Sequence, residues 1–126
     1  MLKKVLLFLV ISASVIGWLN QSHRLSVGST IIDVEIADTE TKRAEGLSNR
    51  TSIADQSGML FIFPQPGRYS FWMKDMNFSL DFIWIRSGLV VQLSRNIHPI
   101  QPPVTLAPDQ PVDQVSLNFS KIEVQY

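Results

Sequence analysis

The chain has 126 residues, of which 45% are hydrophobic and 17% charged, a composition typical of one globular domain. Eleven basic residues balance eleven acidic ones, so no net charge attracts nucleic acid and we expect no nucleic-acid partner. The sequence contains no cysteine, which excludes disulfides, thiolate metal sites and a thiol nucleophile.

Residues 1–22 have the layout of a signal peptide or membrane anchor. Lys3 and Lys4 precede a run without charges at residues 5–19, and secretory signals combine a basic start with about 7 to 15 apolar residues. As a helix this run would span roughly 22 Å, less than the roughly 30 Å hydrocarbon core, which favours a cleaved signal. Trp18 suits the interface end of an uncleaved anchor instead. We therefore expect an extracytoplasmic protein, either secreted or anchored to the membrane by residues 5–19.

The remainder is predicted to comprise a linker with a short strand at residues 23–29 and a single globular β-rich domain at residues 30–126. Apolar and polar side chains alternate from residue 30 to residue 37, which predicts a half-buried strand. Residues 40–47 follow a capping residue, Asp38 or Thr39, and predict one short helix.

Most of the aromatic residues lie between positions 61 and 84, and we expect them to form the core. Turn residues separate four predicted strands in this part of the chain, at residues 59–63, 68–74, 80–85 and 89–93. Because strands adjacent in sequence commonly pair, these predict an antiparallel meander. Alternation within the second strand places Phe71 and Met73 inside, and Trp72 and Lys74 on the opposite face.

Five prolines between positions 99 and 111 predict a long, stiff loop, because proline disrupts both helices and central strands. Closing strands are predicted at residues 112–119 and 122–126. The predicted fold is mainly β, or α+β by count. It is a compact antiparallel β-sandwich or barrel-like domain with one short helix, preceded by an apolar export or anchor helix.

The sequence shows no established catalytic or metal-binding motif. His98 is the only histidine after residue 23 and precedes a proline, which favours an exposed loop position over a Ser-His-Asp triad. Asp33 and Glu35 share one strand face, where solvated side chains are favoured over an acid–base pair. We therefore predict no catalytic residue, no metal and no cofactor, and an enzyme is the less favoured alternative.

Charged and polar residues are interleaved with the aromatic ones. Such groups must pair, reach solvent or line a pocket, because burying an unpaired charge costs several kcal/mol. Lys74 and Asp81 flank a predicted turn, so the simplest expectation is an ion pair between them. The alternative is a ligand site in which Trp72 provides an apolar platform. The candidate ligand-binding residues are Arg50, Trp72, Lys74, Asp81, Arg43, Asp75 and Asn77.

Several blocks of sequence match a known family. They are residues 34–39 (VEIADT), 58–63 (GMLFIF), 71–74 (FWMK), 80–83 (LDFI) and 90–91 (VV), with Arg43, Gly46, Leu47 and Arg50 between the first two. Over residues 30–104 the chain thereby resembles the bacterial and archaeal family called domain of unknown function 192. The resemblance implies a compact, mainly β domain of sandwich or barrel type with a short helix, often exported or membrane-tethered. It implies no established activity or cofactor.

The chain departs from the pattern of that family in two places. Asp75-Met76 stands where the family usually has Asn-Thr, which changes the charge beside Lys74. The carboxyl-terminal segment is also short or divergent.

Three functional hypotheses remain open. The first is a non-enzymatic exported or tethered module that binds a small polar or saccharide-like ligand, or an envelope partner, beside Trp72. The second is an envelope-polymer hydrolase or lyase with Asp81 or Asp75 as the base, assisted by Lys74. The third is a structural protein-interaction module whose contact surface is the proline-rich loop at residues 99–111. The sequence does not indicate an oligomeric state.

Overall fold

A computed structural model describes residues 23–100, 102 and 105–119, which form a six-stranded sheet, a two-stranded sheet and one short helix. The strands are β1 (His23–Val27), β2 (Thr30–Ala37), β3 (Ser57–Gly67), β4 (Phe71–Trp72), β5 (Leu80–Arg86), β6 (Leu89–Ile97), β7 (Thr105–Leu106) and β8 (Val112–Phe119). The helix is α1 (Glu40–Glu45). The predicted fold class, a mainly β domain with one short helix, is confirmed.

The predictions for residues 1–22 and for a strand at residues 122–126 lie outside the described residues. Within the part of the chain that is described, no helix has the length and apolar character needed to cross a membrane.

Local sequence signals account for the first elements. β1 and β2 form an antiparallel hairpin that turns at Gly28, whose φ of 59° favours glycine. Thr39 is the N-cap of α1, and its Oγ1 accepts a hydrogen bond from the Lys42 N–H at 3.2 Å. The helix ends before Gly46, two residues earlier than predicted, and buries no side chain of its own. Leu47, just beyond it, is buried against the sheet.

The strand order of the large sheet is β1-β2-β3-β8-β5-β6. β2 and β3 pair in parallel, because α1 provides a crossover connection between them, whereas the other pairings are antiparallel. The sheet is therefore mixed rather than wholly antiparallel. The predicted meander is not formed, since β8 lies between β3 and β5, and β4 belongs to the small sheet.

Proline affects two of the predicted boundaries. β3 continues through Pro64 and Pro66 instead of ending at Phe63, but its register with β8 shifts between Ile62 and Gly67. The prolines thus occupy the irregular part of the ladder, where a missing N–H is tolerated. The strand predicted at residues 68–74 is reduced to β4, which pairs with β7 inside the segment predicted to be a loop.

Apolar clusters lie on both faces of the large sheet, because alternate residues of each strand point in opposite directions. The first cluster includes Phe61, Phe82, Trp84, Val115 and Leu117. The second cluster includes Val27, Ile32, Val34, Leu60, Ile83 and Ile85. Val27 comes from one edge strand, and Val90 and Leu93 of the other edge strand pack against the same cluster. The second cluster therefore extends across the sheet from one edge strand to the other.

Gly58 lies where β3 pairs with β2 and β8, and the packing leaves no space for a side chain there. A Cβ at this position would overlap the Leu117 carbonyl oxygen and lie 2.5 Å from Asn118 Oδ1. We expect Gly58→Ala to lower the free energy of unfolding by about 3 kcal/mol, measured by urea denaturation of the full-length chain.

Gly88→Ala is the matched control, because no atom lies within 4 Å of a Cβ there and only the φ of 75° opposes a side chain. Its expected cost is about 1 kcal/mol. Equal losses in the two variants would contradict the packing argument at Gly58.

Candidate functional site

A cavity of about 320 Å³ lies between α1 and the segment at residues 69–73. We call it the aromatic cavity. Its floor consists of buried side chains from the first cluster, among them Phe61, Leu80, Phe82 and Leu117. Exposed residues at its mouth, Ala44, Glu45, Ser70 and Trp72, show that it opens to solvent.

Phe71 forms the wall of the cavity opposite α1. Its ring meets three rings of the sheet edge-on, with centroid separations of 5.0 Å to Phe61, 5.8 Å to Phe82 and 5.6 Å to Trp84. Edge-to-face contacts of this kind stabilise aromatic pairs. They hold residues 69–73 beside the sheet although β4 has only two residues.

Arg43 provides a positive charge in the lining of the cavity. Its Nη1 donates to the Ile62 carbonyl oxygen at 2.9 Å, and its Cζ lies 5.4 Å from the centroid of the Phe63 ring. The Phe63 ring in turn stacks on Tyr69, with a centroid separation of 3.7 Å. These contacts fix a half-buried guanidinium at the edge of an apolar space.

Trp72 lines the mouth of the cavity and is 60% exposed, whereas Met73 is buried. The predicted alternation of this segment is therefore correct. Lys74 Nζ lies 5.0 Å from the centroid of the Trp72 ring, so the ammonium covers part of the indole. Lys74 itself does not line the cavity.

Arg50 is engaged in a bidentate ion pair outside the cavity. Its Nη1 and Nη2 donate to the two carboxylate oxygens of Glu35 at 2.6 and 2.8 Å. The hydrogen bonds from Arg50, assisted by its charge, lower the pKa of Glu35, and burial opposes them only in part. The same carboxylate raises the pKa of Arg50. Asn77 Nδ2 donates to the Arg50 carbonyl oxygen at 2.8 Å, a contact that holds two loops together.

Asp81 lies on the opposite face of the sheet from the cavity. The residue is 5% exposed, and its Oδ1 accepts a hydrogen bond from the Asn96 N–H at 2.7 Å. The β5–β6 register shifts between Leu80 and Phe82, so the carboxylate bonds an N–H at an irregularity of the ladder. The expected ion pair between Lys74 and Asp81 is not formed.

Asp75 is exposed in the turn after Lys74, with a φ of 59°, and its carbonyl oxygen accepts the Asn49 N–H at 2.8 Å. Of the seven candidate residues, the structure thus brings Arg43 and Trp72 together at one cavity. It places Arg50, Lys74, Asp75, Asn77 and Asp81 outside the lining.

The sequence predicts that the remaining aromatic lining residues belong to the core rather than to a site. Phe63, Tyr69 and Phe71 are half-buried, and the signal for their second role is the unusual density of aromatic residues around Pro64 and Pro66. Part of each ring packs against its neighbours, and part lines the cavity.

Among the residues that the structure describes, the other titratable groups do not form a recognisable catalytic or metal centre. His98 is exposed as predicted, and its Nδ1 lies 2.7 Å from Ser79 Oγ while its Nε2 lies 3.3 Å from Asn96 Nδ2. Asp33 and Glu35 are exposed and pair with different arginines, Arg24 and Arg50. Among the described residues, no group of three or more His, Asp and Glu side chains is placed to hold a metal ion.

Comparison with protein families shows a match to domain of unknown function 192, described as an uncharacterized ACR, over residues 23–118. The chain belongs to this family. No protein of curated function matches it.

Two crystal structures show the same fold in bacterial proteins. One is a Sinorhizobium meliloti 1021 protein whose description proposes a transcription regulator. It is 29% identical, with a TM-score of 0.70, and the match covers 77% of this chain and 78% of that one. The other is a protein of unknown function from Novosphingobium aromaticivorans DSM 12444. It is 27% identical, with a TM-score of 0.72 and coverage of 79% and 74%. These similarities extend the family fold to solved structures without assigning an activity.

We expect the Glu35–Arg50 ion pair of this family member to make a pH-dependent contribution to the free energy of unfolding. Glu35→Gln is expected to cost about 0.2–1 kcal/mol at pH 7, the usual range for an exposed pair. The pKa of Glu35 is lower in the folded than in the unfolded chain. Its contribution is therefore complete above the unfolded value of about 4.5 and disappears as the pH falls through the folded value. Urea unfolding at pH 7 and pH 3 measures this difference.

Asp33→Asn is the matched control, because this carboxylate lies on the same strand 3.7 Å from Arg24 Nε in a more exposed, single contact. We expect a smaller loss at pH 7 than for Glu35→Gln. A difference between wild type and Glu35→Gln that is the same at both pH values would contradict the role of the ion pair.

Proposed function

We propose that this domain is a non-catalytic module that binds a small ligand in the aromatic cavity, next to Trp72. The observation that supports this most directly is an open concavity of about 320 Å³ with an apolar floor and one fixed guanidinium in its lining. Small-molecule sites are typically concave and mostly apolar, with a few polar groups that orient the ligand. The volume is at the lower end of the range for such sites, roughly 300–1,000 Å³, so the ligand is small.

The mouth of the cavity is also suited to a hydroxylated ligand. Trp72 is 60% exposed there, and Ser70 provides a hydroxyl next to it. A saccharide-like ring can stack on an exposed indole while an apolar portion enters the cavity. The layout of residues 1–22 supports an extracytoplasmic location, secreted or anchored, in which the ligand is a free small molecule or a component of the cell envelope.

The geometry gives the hydrolase or lyase hypothesis little support. Asp81 points away from the cavity and bonds Asn96, while Asp75 is exposed in a turn. Lys74 lies over Trp72. A general base must come within hydrogen-bond reach of the reacting group, and these residues do not converge on one point in the cavity.

The proline-rich segment is less available as a contact surface than the sequence indicates. Pro108 is buried, and its carbonyl oxygen accepts from Arg68 Nε at 3.0 Å, while the Asp109 N–H donates to Gln92 Oε1 at 2.8 Å. The transcriptional role proposed for the Sinorhizobium protein gains no support from charge, since basic and acidic residues balance here.

Nuclear magnetic resonance with two neutral probes tests the proposal. Benzyl alcohol represents an apolar ligand and methyl β-D-glucoside a saccharide-like one. We expect at least one probe to shift the backbone amide signals of residues 43–48 and 69–73 of the full-length chain in a saturable manner. Ser70→Trp, which places a large side chain at the mouth, is expected to weaken that binding about tenfold or more, equivalent to about 1.4 kcal/mol.

Ser52→Trp is the control, because Ser52 is exposed but does not line the cavity. It should leave the affinity unchanged. Saturable shifts confined to other parts of the chain, or equal losses in the two variants, would contradict binding in the aromatic cavity.

A further inference from the structure

The charge on Arg43 restricts the class of ligand that fits the aromatic cavity. One edge of its guanidinium is fixed, since Nη1 donates to the Ile62 carbonyl oxygen at 2.9 Å and the group lies over the Phe63 ring. Within the described part of the chain, no acceptor bonds Nε or Nη2. Arg43 is therefore oriented by the protein but retains two donors for another molecule.

No carboxylate of the described residues forms an ion pair with Arg43. The ion pairs among the described residues join Arg24 to Asp33, Lys42 to Asp38, and Arg50 to Glu35. Glu45 also lines the cavity, but its carboxylate is not within 4 Å of the Arg43 guanidinium. Its charge contributes, after the larger effect of Glu35, to the raised pKa of Arg50. The described lining thus contains one guanidinium without an ion-pair partner.

The chemistry of this arrangement favours an anion with a planar head and an apolar body. A guanidinium matches a carboxylate through two parallel N–H···O bonds. Such bonds are stronger where apolar groups exclude water, as do the buried rings of Phe61 and Phe82 and the half-buried ring of Phe71. The guanidinium and the rings line one cavity of about 320 Å³, so a single small molecule can contact both.

We propose that the ligand is a small carboxylate, whose head group accepts from Nε and Nη2 of Arg43 and whose apolar body packs among the rings of the cavity. This inference rests on the proposed function, because it names the ligand class for the same cavity.

Phenylacetate and its neutral analogue phenylacetamide provide the test, since they differ mainly in the charge of the head group. Binding to the full-length wild-type chain at pH 7 is followed through the amide signals of residues 43–48 and 69–73. We expect phenylacetate to bind about tenfold more tightly, equivalent to about 1.4 kcal/mol, because only the carboxylate forms a bidentate ion pair with the guanidinium. Added salt is expected to reduce this preference.

Arg43→Gln is expected to abolish the preference for phenylacetate. Lys42→Gln is the matched control, because it removes the same charge from the neighbouring residue, which does not line the cavity, and should retain the preference. Thermal melting establishes that each variant is folded. If Arg43→Gln does not fold, Arg43→Lys replaces it, since a lysine keeps the charge without the two-donor fork and should reduce the preference.

The outcomes separate this inference from the proposed function. Equal binding of the two phenylacetyl probes in the cavity, or a preference that Arg43→Gln retains, would overturn the carboxylate class and leave a ligand-binding cavity. If phenylacetate, phenylacetamide, benzyl alcohol and methyl β-D-glucoside all fail to bind in the cavity, both proposals are overturned.

Discussion

The edge-on contacts of Phe71 with the sheet are the interaction on which the aromatic cavity depends. β4 and β7 contribute two residues each, too few for their ladder to hold residues 69–73 in place. The rings of Phe61, Phe82 and Trp84 supply what the ladder lacks, each at a centroid separation of 5.0 to 5.8 Å from Phe71. Aromatic pairs of this geometry contribute about 0.5–1.5 kcal/mol each beyond the area they bury. They set the distance between the segment and the sheet, and α1 occupies only part of the space that remains.

The position of β8 shows which parts of this fold can be predicted from the sequence. Its bounds at residues 112–119 follow from local signals, as do the β1–β2 hairpin and the cap of α1. Its central place between β3 and β5 does not. Ser116 and Asn118 are fully buried, and Ser116 Oγ donates to Asn118 Oδ1 at 2.9 Å. In the sequence of β8, these polar residues alternate with apolar ones. Buried polar side chains that hydrogen-bond each other give the same alternation as side chains that face water, so the pattern alone indicates a half-exposed strand. The parallel β2–β3 pairing is likewise a long-range feature.

The candidate site could be predicted only in part for a related reason. The sequence indicates Arg43 by its charge and Trp72 by the alternation that turns it outward, and both line the cavity. Arg50 and Asp81 show the same signals but are bound by groups distant in the chain, a carboxylate 15 residues earlier and a backbone N–H 15 residues later. Proximity to aromatic residues in the sequence also does not determine the face of the sheet that a strand residue occupies. Asp81 lies between Leu80 and Phe82, which line the cavity, and its own side chain is on the opposite face. The sequence predicts the aromatic walls only as core, since the gap beside them exists only in three dimensions.

The floor and the walls of the aromatic cavity are held with different strength. Phe82 and Leu117 lie in strands that have neighbours on both sides, whereas α1 buries no side chain. The cap at Thr39, the bond from Arg43 to Ile62 and the buried Leu47 are the contacts that attach the helix region. Because local opening costs less where fewer apolar contacts are lost, the helix wall opens at a lower free energy than the sheet. Arg43 therefore has two roles, since it attaches the helix to β3 and offers donors to the cavity. A ligand that bound Arg43 and packed on Phe71 would connect the two walls, and part of its binding free energy would be used to order them.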